Sequence, residues 1–399
     1  MGETRAEKLK VFVIAGEPSG DRLGAALMAG LKTLCPNVEF HGVGGVAMQR
    51  EGLSSLFDMG ELSIMGIAEV APKYFHLKRR IRETAEAALR ERPDVLITID
   101  SPDFCLRVAK IVKEEEIEGL TYGRDIPIVH YVAPSVWAWR PKRADKMAQH
   151  VDHVLALLPF EPPYMRAAGM GCDFVGHPVV AEAQATDRQA QEFRDVHAVG
   201  EGPLLLALPG SRKGEISRLA DRFGQVIGHV AREHPGTRVV LPMAQGVVDL
   251  VREVTAKWPV KPILIAPEDH DTKRAAFKAA DVALAASGTV SLELAAAGTP
   301  MVIAYDMNWL SRQLIGRMLR IDTVTLVNLV SETRAVPEFL GAECEVDRIA
   351  PALLELLDHR QSQDYAMDLT MQRLGRGFEA PGLRAARAVL DVVTNWDRG

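Results

Sequence analysis

The feature that most constrains the fold is an alternation of short apolar stretches with amphipathic helical segments through the first half of the chain. The helical segments include Leu23–Leu34 and Leu77–Arg90. The apolar stretches, each of strand length, are Lys10–Ala15, Val38–Val43, Val95–Ile99, Ile126–Val132, Val154–Leu158 and Asp173–Val175. Because parallel strands need crossover helices between them, this order predicts an α/β fold with a parallel, doubly wound sheet.

The alternation stops near Gly176–Pro178, and after a polar stretch it begins again. The second series of strand-length stretches is Leu204–Leu208, Arg238–Leu241, Ile263–Ala266, Val282–Ala285 and Met301–Tyr305. The 399 residues suffice for two ordinary domains. The pattern therefore predicts two Rossmann-like doubly wound domains facing across a cleft. We expect a first domain over residues 1–180, a second over residues 181–365 and a C-terminal helical segment over residues 366–399.

Composition argues against several classes of protein. The formal net charge of -6 gives no general reason to expect a nucleic-acid partner. The four cysteines form no CxxC pair, which argues against a disulfide framework or a zinc site and fits a reducing cytosol. No stretch approaches the roughly 20 apolar residues of a membrane span, and none resembles a signal peptide. We expect a cytoplasmic protein that is not an integral membrane protein.

Two aspartates follow one of the predicted strands, in the sequence IDSPDF of residues 99–104. Ser101 is a good N-cap, Pro102 suits the first helical position, and the helix dipole favours a negative charge at Asp103 by roughly 0.3–1 kcal/mol. Asp100 has no such explanation. It lies at the carboxyl end of a predicted parallel strand, where open α/β sheets bind ligands. A catalytic role and a buried structural hydrogen bond are equally compatible with this position.

The first loop of the second half predicts a clamp for a diphosphate. It reads LPGSR and ends with Gly210, Ser211 and Arg212. Backbone N–H groups at Gly210 and Ser211 can donate to phosphate oxygens, and the planar guanidinium of Arg212 can donate two parallel hydrogen bonds. An exposed arginine without a ligand is the alternative.

A second loop of small residues begins a predicted helix within ASGTVSLELAAAGTP, residues 286–300. Ser287, Gly288 and Thr289 let a phosphate approach backbone N–H groups at the positive end of the helix dipole. Glu293, one turn along, can accept hydrogen bonds from both hydroxyls of a ribose, or it merely complements the helix dipole. Together with the LPGSR loop, this pattern favours a nucleotide-sugar site.

Two loops of the first half are candidate contacts for a sugar or acyl acceptor. In GEPSGD, a glycine-bearing turn onto a helix, Glu17 and Ser19 can face a polar ligand. In the alternative, Ser19 caps the helix and Asp21 complements its dipole. The loop HYVAPSVWAWR brings His130 and Trp137 to another strand edge, although tryptophan and histidine more often have packing roles.

One further segment, residues 64–80, mixes apolar and aromatic side chains with a basic cluster. Such a segment is typical of a helix lying on anionic lipid, and it is equally compatible with an amphipathic helix that faces the core. The candidate membrane contacts are Ile64, Ile67, Val70, Phe75, Lys78, Arg79 and Arg80.

The sequence resembles the lipid-A-disaccharide synthase family through a series of blocks in the family's order. They are AGEPSGD, MGIAEV, IDSPDF, HYVAPSVWAWR, LPFE, FVGHP, LPGSR, ASGTVSLELAAAGTPMV and LVNL. The resemblance covers nearly the whole chain. It implies a GT-B glycosyltransferase that joins UDP-2,3-diacylglucosamine to 2,3-diacylglucosamine 1-phosphate, with release of UDP. The implied product is the β-1,6-linked disaccharide precursor of lipid A.

The resemblance also implies roles for individual residues. Asp100 takes the place of the family's proposed general base, while Arg212, Glu293 and Asn328 fall at nucleotide-site positions. The family binds the acceptor mainly with its N-terminal domain and UDP with its C-terminal one. Residues 64–80 correspond to its membrane-associating region, which implies peripheral attachment to the cytoplasmic face of the inner membrane. The family also suggests a homodimer.

The chain departs from the family's pattern at Asp306, where a basic residue is expected after Tyr305. If that residue touches phosphate in relatives, the contact is lost here. No DxD-like motif stands in a suitable loop, so no metal or other cofactor is expected. Two other functions remain open: a UDP-sugar 2-epimerase of the same fold, and a non-catalytic nucleotide-sugar or lipid-binding protein.

Overall fold

The computed structural model describes residues 8–62, 70–117, 125–306 and 321–396. The chain divides into two compact units. The first comprises residues 1–181 and 377–399, and the second comprises residues 182–376. Each unit is built on one parallel sheet with helices packed against it.

The strands of the first unit are β1 (Leu9–Ala15), β2 (Val38–Val43), β3 (Ser54–Ser55), β4 (Val95–Ile99), β5 (Ile128–Tyr131), β6 (His153–Ala156) and β7 (Gly171–Phe174). They form a sheet in the order β3-β2-β1-β4-β5-β6-β7, and neighbouring strands run parallel. The central strands β4 and β5 are buried along their whole length. This burial explains why their sequences are mostly apolar, because both faces of a parallel sheet are covered.

The helices of the first unit begin with α1 (Pro18–Leu34), α2 (Val46–Arg50), α3 (Val70–Glu91), α4 (Pro102–Ile117), α5 (Lys142–Met147) and α6 (Pro162–Ala167). Successive strand residues point to opposite faces of the sheet, so each face has its own apolar core. Phe12 and Leu96 belong to one core, and Val11 and Ile97 belong to the other.

The strand order of this sheet reverses between β1 and β4. The chain leaves β1 towards β2 on one side and returns to β4 on the other. Ala15 at the end of β1 pairs with Ile99 at the end of β4. The loops that follow these two strands therefore begin side by side, at the kind of position where open α/β sheets bind ligands.

The strands of the second unit are β8 (Leu204–Leu208), β9 (Arg238–Pro242), β10 (Ile263–Ile265), β11 (Val282–Ala285), β12 (Met301–Tyr305) and β13 (Glu338–Leu340). Their order is β10-β9-β8-β11-β12-β13, again with parallel neighbours. The order reverses between β8 and β11, where Leu208 pairs with Ala285. The LPGSR loop and the loop of Ser287–Thr289 begin at these two strand ends.

The helices of the second unit are α7 (Asp187–Val196), α8 (Lys213–Glu233), α9 (Val248–Thr255), α10 (His270–Ala279), α11 (Val290–Ala297), α12 (Leu326–Ser331), α13 (Val346–Asp358) and α14 (Asp364–Arg373). Along α8 the buried side chains recur every three or four residues, including Ile216, Leu219, Phe223 and Ile227. That spacing places them on the one face of the helix that packs against the core.

The last helix, α15 (Pro381–Trp396), packs against α1 in the first unit. Two glycines allow the close approach. A Cβ atom at Gly382 would lie 2.5 Å from the carbonyl oxygen of Ala26, and one at Gly30 would lie 2.7 Å from the carbonyl oxygen of Gly382. Arg384 adds a 2.7 Å hydrogen bond to the carbonyl oxygen of Phe174, at the end of β7.

The structure confirms the predicted α/β class and every predicted strand, with small shifts of the strand ends. The strands β3 and β13 were not predicted, because they are very short and have no fully buried residue. Within the described ranges, no helix combines the length and apolar character needed to cross a bilayer. The same ranges contain no cluster of acidic, histidine or cysteine side chains suited to a metal ion. All four cysteines are free thiols.

Candidate active site

Asp100 follows β4 directly, at the reversal point of the first sheet. Its backbone N–H donates to the carbonyl oxygen of Tyr131 over 3.0 Å, which ties it to the end of β5. The side chain is half-buried rather than packed inside the sheet. Burial raises the pKa of the Asp100 carboxyl, and a hydrogen bond from the Ser101 backbone N–H offsets part of that rise. A half-buried carboxylate with a raised pKa is typical of a functional site.

The backbone at this edge of the sheet is strained. Asp100 and Ser101 have φ angles of 49° and 42°, and Val132, directly after β5, has a φ of 87°. The left-handed region costs a residue with a side chain about 1–2 kcal/mol, and it is least favourable for a β-branched residue such as valine. Strain of this kind persists at active sites, where it fixes a functional conformation. Here three such residues lie at the ends of two adjacent strands, around the candidate base.

The loop after β1 approaches Ser101 closely. A Cβ atom at Gly16 would lie 2.6 Å from the Oγ atom of Ser101, so a larger residue there would have to displace Ser101. Glu17 and Ser19 follow as exposed residues. The alternative in which Ser19 caps the helix is wrong, because α1 begins at Pro18 and Glu17 is the residue before it. Ser19 is inside the first turn, with its side chain open to a ligand.

Asp21 has a second role besides its predicted position in the first turn of α1. Its buried carboxylate accepts hydrogen bonds from the backbone N–H groups of Gly45, Ala47 and Met48, at 2.8, 2.9 and 3.0 Å. These groups are at the start of α2, where N–H groups have no partner within their own helix. Asp21 therefore caps α2, and it is also the acid in the first turn of α1, as predicted.

His130 is a correction to the predicted acceptor contacts. Its side chain is only 3% exposed, and its Nδ1 lies 2.8 Å from the hydroxyl of Thr98 on the neighbouring strand. Burial lowers the pKa of His130 to about 4, so the ring is neutral. The prediction fails because β5 continues through His130, and the side chain points into the core beneath the sheet.

Trp137 lies in the loop after β5 and is half-buried. Its indole Nε1 donates to a carboxylate oxygen of Glu161 over 3.3 Å, and its ring packs edge-on against Phe160 with centroids 5.1 Å apart. The residue is held firmly, and part of its surface remains available for a ligand.

The LPGSR loop after β8 is organised differently from the predicted clamp. The backbone N–H groups of Ser211 and Arg212 donate to the carboxylate of Glu215, at 3.0 and 3.3 Å. A Cβ atom at Gly210 would lie 2.6 Å from the same carboxylate. The N–H group of Ser211 is therefore not free for a phosphate, which corrects the expectation for Ser211, whereas that for the Gly210 N–H stays a prediction. The Arg212 side chain is 82% exposed, so its guanidinium is the part of this loop that can reach a ligand.

In the loop after β11, the backbone N–H groups predicted to bind phosphate remain available. Across the described chain, no backbone carbonyl accepts from the N–H groups of Ser287, Gly288 or Thr289. Gly288 and Thr289 are exposed, and a Cβ atom at Gly288 would meet nothing within 4 Å. The helix α11 begins at the next residue, so these N–H groups stand at the positive end of its dipole. The loop is suited to binding an anion.

Glu293, one turn into α11, is half-buried and accepts a 2.6 Å hydrogen bond from the Nζ of Lys273 on α10. The bond engages its Oε2 atom. A carboxylate oriented in this way can still accept a hydroxyl donor at its other oxygen.

Asn328 is a second correction. It is 1% exposed, its Oδ1 accepts from the backbone N–H of Val336 over 3.0 Å, and its Nδ2 donates to the carbonyl oxygen of Val336 over 2.9 Å. The amide also donates to the Thr323 hydroxyl over 3.3 Å. All of its hydrogen-bonding groups are used inside the protein, so the structure gives Asn328 a structural role and not one in nucleotide binding.

Asp306, where a basic residue was expected, is buried after β12. Its carboxylate accepts a 2.7 Å hydrogen bond from Arg222 of α8, and this bond raises the pKa of Arg222. Its carbonyl oxygen accepts from Arg218 over 3.3 Å. The acid is thus neutralised by an arginine and does not present an unpaired negative charge at this edge of the sheet.

A family model described as Lipid-A-disaccharide synthetase matches residues 11–381. The chain belongs to the lipid-A-disaccharide synthase family. A lipid-A-disaccharide synthase of Ruegeria pomeroyi is 62% identical over 389 residues, which cover 96% of this chain and 95% of that protein. Another, of Rhodospirillum centenum, is 45% identical over 391 residues, which cover 97% of this chain and 95% of that protein.

Among solved structures, the UDP-GlcNAc 2-epimerase from Neisseria meningitidis bound to UDP-GlcNAc is similar with a TM-score of 0.62 at 12% identity, covering 97% of this chain and 99% of that one. This likeness shows the GT-B fold. Membership of the lipid-A-disaccharide synthase family confirms the predicted class: the chain is a glycosyltransferase with lipid-A-disaccharide synthase activity in lipid A biosynthesis.

Two acids near the candidate site were missed by the sequence interpretation. Glu215 stands three residues after Arg212, and Glu161 ends the LPFE block. Each accepts hydrogen bonds from backbone N–H groups of its own loop. Both acids stand within three or four residues of a turn that follows a strand. This spacing could have indicated that they accept hydrogen bonds from the turn.

Proposed function

We propose that this lipid-A-disaccharide synthase joins UDP-2,3-diacylglucosamine to 2,3-diacylglucosamine 1-phosphate by a single inverting displacement. Asp100 is the general base that accepts the proton of the acceptor's 6-hydroxyl. The oxygen of that hydroxyl attacks the anomeric carbon of the donor sugar, and UDP leaves. The observation that carries this assignment is the half-buried carboxylate of Asp100, held on strained backbone at the reversal point of the first sheet. Its raised pKa makes it a stronger base than an ordinary aspartate.

The donor is bound by the second unit in this proposal. The N–H groups of Ser287–Thr289 and the guanidinium of Arg212 stabilise the diphosphate, whose negative charge increases as the glycosidic bond breaks. Glu293 accepts the ribose hydroxyls. The exposed N–H groups at the start of α11 and the exposed Arg212 side chain support this arrangement.

The test is release of UDP by the purified protein given both diacylated sugars. We expect UDP to appear only when both are present, in a one-to-one ratio with a disaccharide 1-phosphate. Release of UDP from the donor alone, or conversion of a soluble UDP-sugar into its 2-epimer, would contradict the transferase assignment. A protein that binds both sugars and releases no UDP would be a binding protein.

We also propose that the protein attaches peripherally to the cytoplasmic face of the inner membrane. Phe75 is 70% exposed on α3, and Lys78 and Arg79 are exposed on the same helix. Arg80 is less exposed than these two residues, and it bonds to Glu61 and Glu83. Its charge is compensated within the protein, so we exclude it from the lipid-facing set.

The other candidate membrane contacts are less informative. Ile64 and Ile67 lie outside the described residues. Val70 is the first residue of α3, and its side chain is not described. The proposal therefore rests on an exposed aromatic residue beside two exposed basic ones. This combination suits an anionic lipid surface.

Neutralising Lys78 and Arg79 together, as Lys78→Gln with Arg79→Gln, should weaken binding to vesicles that contain phosphatidylglycerol by roughly 10–30-fold, because each basic residue near an anionic surface contributes about 1 kcal/mol. Co-sedimentation at low ionic strength measures the effect. Arg82→Gln with Arg90→Gln, which removes the same charge from exposed positions farther along α3, is the matched control. Equal binding by the two double variants would contradict the proposed contact.

A further inference from the structure

Glu161 is a buried carboxylate with no assigned part in the reaction. It is 4% exposed, and burial raises its pKa to about 7. One carboxylate oxygen, Oε2, accepts from the backbone N–H groups of Leu157 and Leu158, at 3.1 and 2.9 Å. The other, Oε1, accepts from the indole Nε1 of Trp137 over 3.3 Å. Burying an acid is costly, and these three donors are what compensate for the lost water.

The three donors come from two different loops. Leu157 and Leu158 belong to the loop after β6, and one oxygen of Glu161 accepts from both of their N–H groups. The second oxygen reaches Trp137 in the loop after β5, 24 residues away in sequence. Since β5 and β6 are parallel neighbours, both loops leave the same edge of the sheet. Glu161 thus links two loops that no local pattern brings together.

Two contacts fix the position of the Trp137 side chain. The hydrogen bond holds the N–H edge of the indole, and Phe160 packs against the ring with an interplanar angle of 82°. The loop that carries Trp137 starts at the strained residue Val132. That residue adjoins Tyr131, whose carbonyl oxygen accepts from the N–H of Asp100. The position of the indole is therefore set relative to the backbone that holds the candidate base.

We infer that Glu161 is a positioning residue, which holds the Trp137 indole so that the loop after β5 presents a fixed aromatic wall to the acceptor sugar. The inference rests on the proposed function and concerns the acceptor only. Trp137 makes the contact, and Glu161 acts through it. Loss of the link should weaken acceptor binding and leave donor binding unchanged, because the donor groups are carried by the second unit.

The test is a cycle of three variants: Glu161→Gln, Trp137→Phe and the double variant. Glutamine keeps the volume, and its carbonyl oxygen can still accept from the two loop N–H groups, but its amide NH₂ then faces the indole N–H. Two donors facing each other should displace the indole and raise the acceptor KM roughly tenfold, with the donor KM within twofold of the wild-type value. Trp137→Phe removes the N–H and keeps an aromatic ring, so its acceptor KM should rise by roughly threefold.

The double variant decides between positioning and a general structural role. Because phenylalanine has no N–H to oppose the glutamine amide, the acceptor KM of the double variant should return to that of Trp137→Phe alone. Additive losses in the double variant would overturn the inference. A rise in donor and acceptor KM by the same factor in Glu161→Gln would overturn it as well.

An activity-independent measurement separates this inference from the proposed function. The indole N–H resonance of Trp137 is identified in a ¹⁵N-tryptophan-labelled sample by its loss in Trp137→Phe. On titration with 2,3-diacylglucosamine 1-phosphate, it should shift in the wild-type protein and shift much less in Glu161→Gln. A shift without UDP release would support the inference while contradicting the proposed reaction. A wild-type resonance that does not respond to the acceptor would overturn the inference whatever the activity.

Discussion

Replacing Asp100 by asparagine should lower kcat by roughly 10²–10⁴-fold, the usual contribution of a general base. Asparagine has nearly the same shape, and it tolerates the left-handed backbone that Asp100 adopts at a φ of 49°. Its carbonyl oxygen can still accept the hydrogen bond from Ser101. The variant therefore removes the proton acceptor and leaves the loop intact. Steady-state UDP release with both diacylated sugars measures the loss.

The affinity for UDP distinguishes a lost base from a damaged protein. Asp100→Asn should bind UDP as the wild-type protein does in a calorimetric titration. Arg212→Ala should show the reverse behaviour, with UDP affinity reduced roughly 10–100-fold, because it removes charge-assisted hydrogen bonds to the diphosphate. The matched control is Asp103→Asn, which changes an exposed acid in the first turn of α4 and should retain wild-type turnover. An Asp100→Asn enzyme with wild-type kcat would eliminate the assigned role.

The pH dependence of activity tests the role of the Asp100 carboxyl independently. A general base must be deprotonated, so activity should fall as the pH decreases through the pKa of Asp100. Burial raises that pKa above the ordinary value of 3.8, and the acid limb of kcat/KM should therefore lie at a higher pH than an unperturbed aspartate would give. Asp100→Asn should lose this limb.

Asp21→Ala should have the largest effect on stability, lowering the free energy of unfolding by about 3–5 kcal/mol. The Asp21 carboxylate accepts from three backbone N–H groups at the start of α2, and alanine leaves all three without their partner. A hydrogen bond to a charged group contributes about 1.5–3 kcal/mol, and partial access of water to the opened site reduces the sum. Urea unfolding followed by circular dichroism measures the change.

Two variants control this measurement. Arg22→Ala removes the next side chain, which is exposed on the same helix, and should change stability by less than about 0.5 kcal/mol. Asp21→Asn keeps one acceptor oxygen and should fall between alanine and the wild-type protein. A loss below about 1 kcal/mol for Asp21→Ala would show that water replaces the carboxylate at little cost, and it would contradict the capping role.

The sequence was sufficient for the features that depend on short-range pattern. Central parallel strands are covered on both faces, so they are mostly apolar, and Val95–Ile99 and Leu204–Leu208 were found with their observed limits. The acid of a first helical turn is equally local, and Asp103 has the expected place in α4. The sequence also placed Asp100 directly after a strand, as the structure has it, while its role as a base stays a proposal.

Tertiary structure decided which polar groups are free to act. His130 lies within β5, and its ring is used by Thr98 across the sheet. The amide of Asn328 is used by Val336, and the N–H groups of Ser211 and Arg212 by Glu215. A polar group has a limited number of hydrogen bonds, and an internal partner that reaches it first removes it from ligand binding. Side-chain periodicity along a segment is fixed by backbone geometry, so the sequence determined the sheets and the strand ends, whereas the partner of each polar side chain depends on where the chain returns in space.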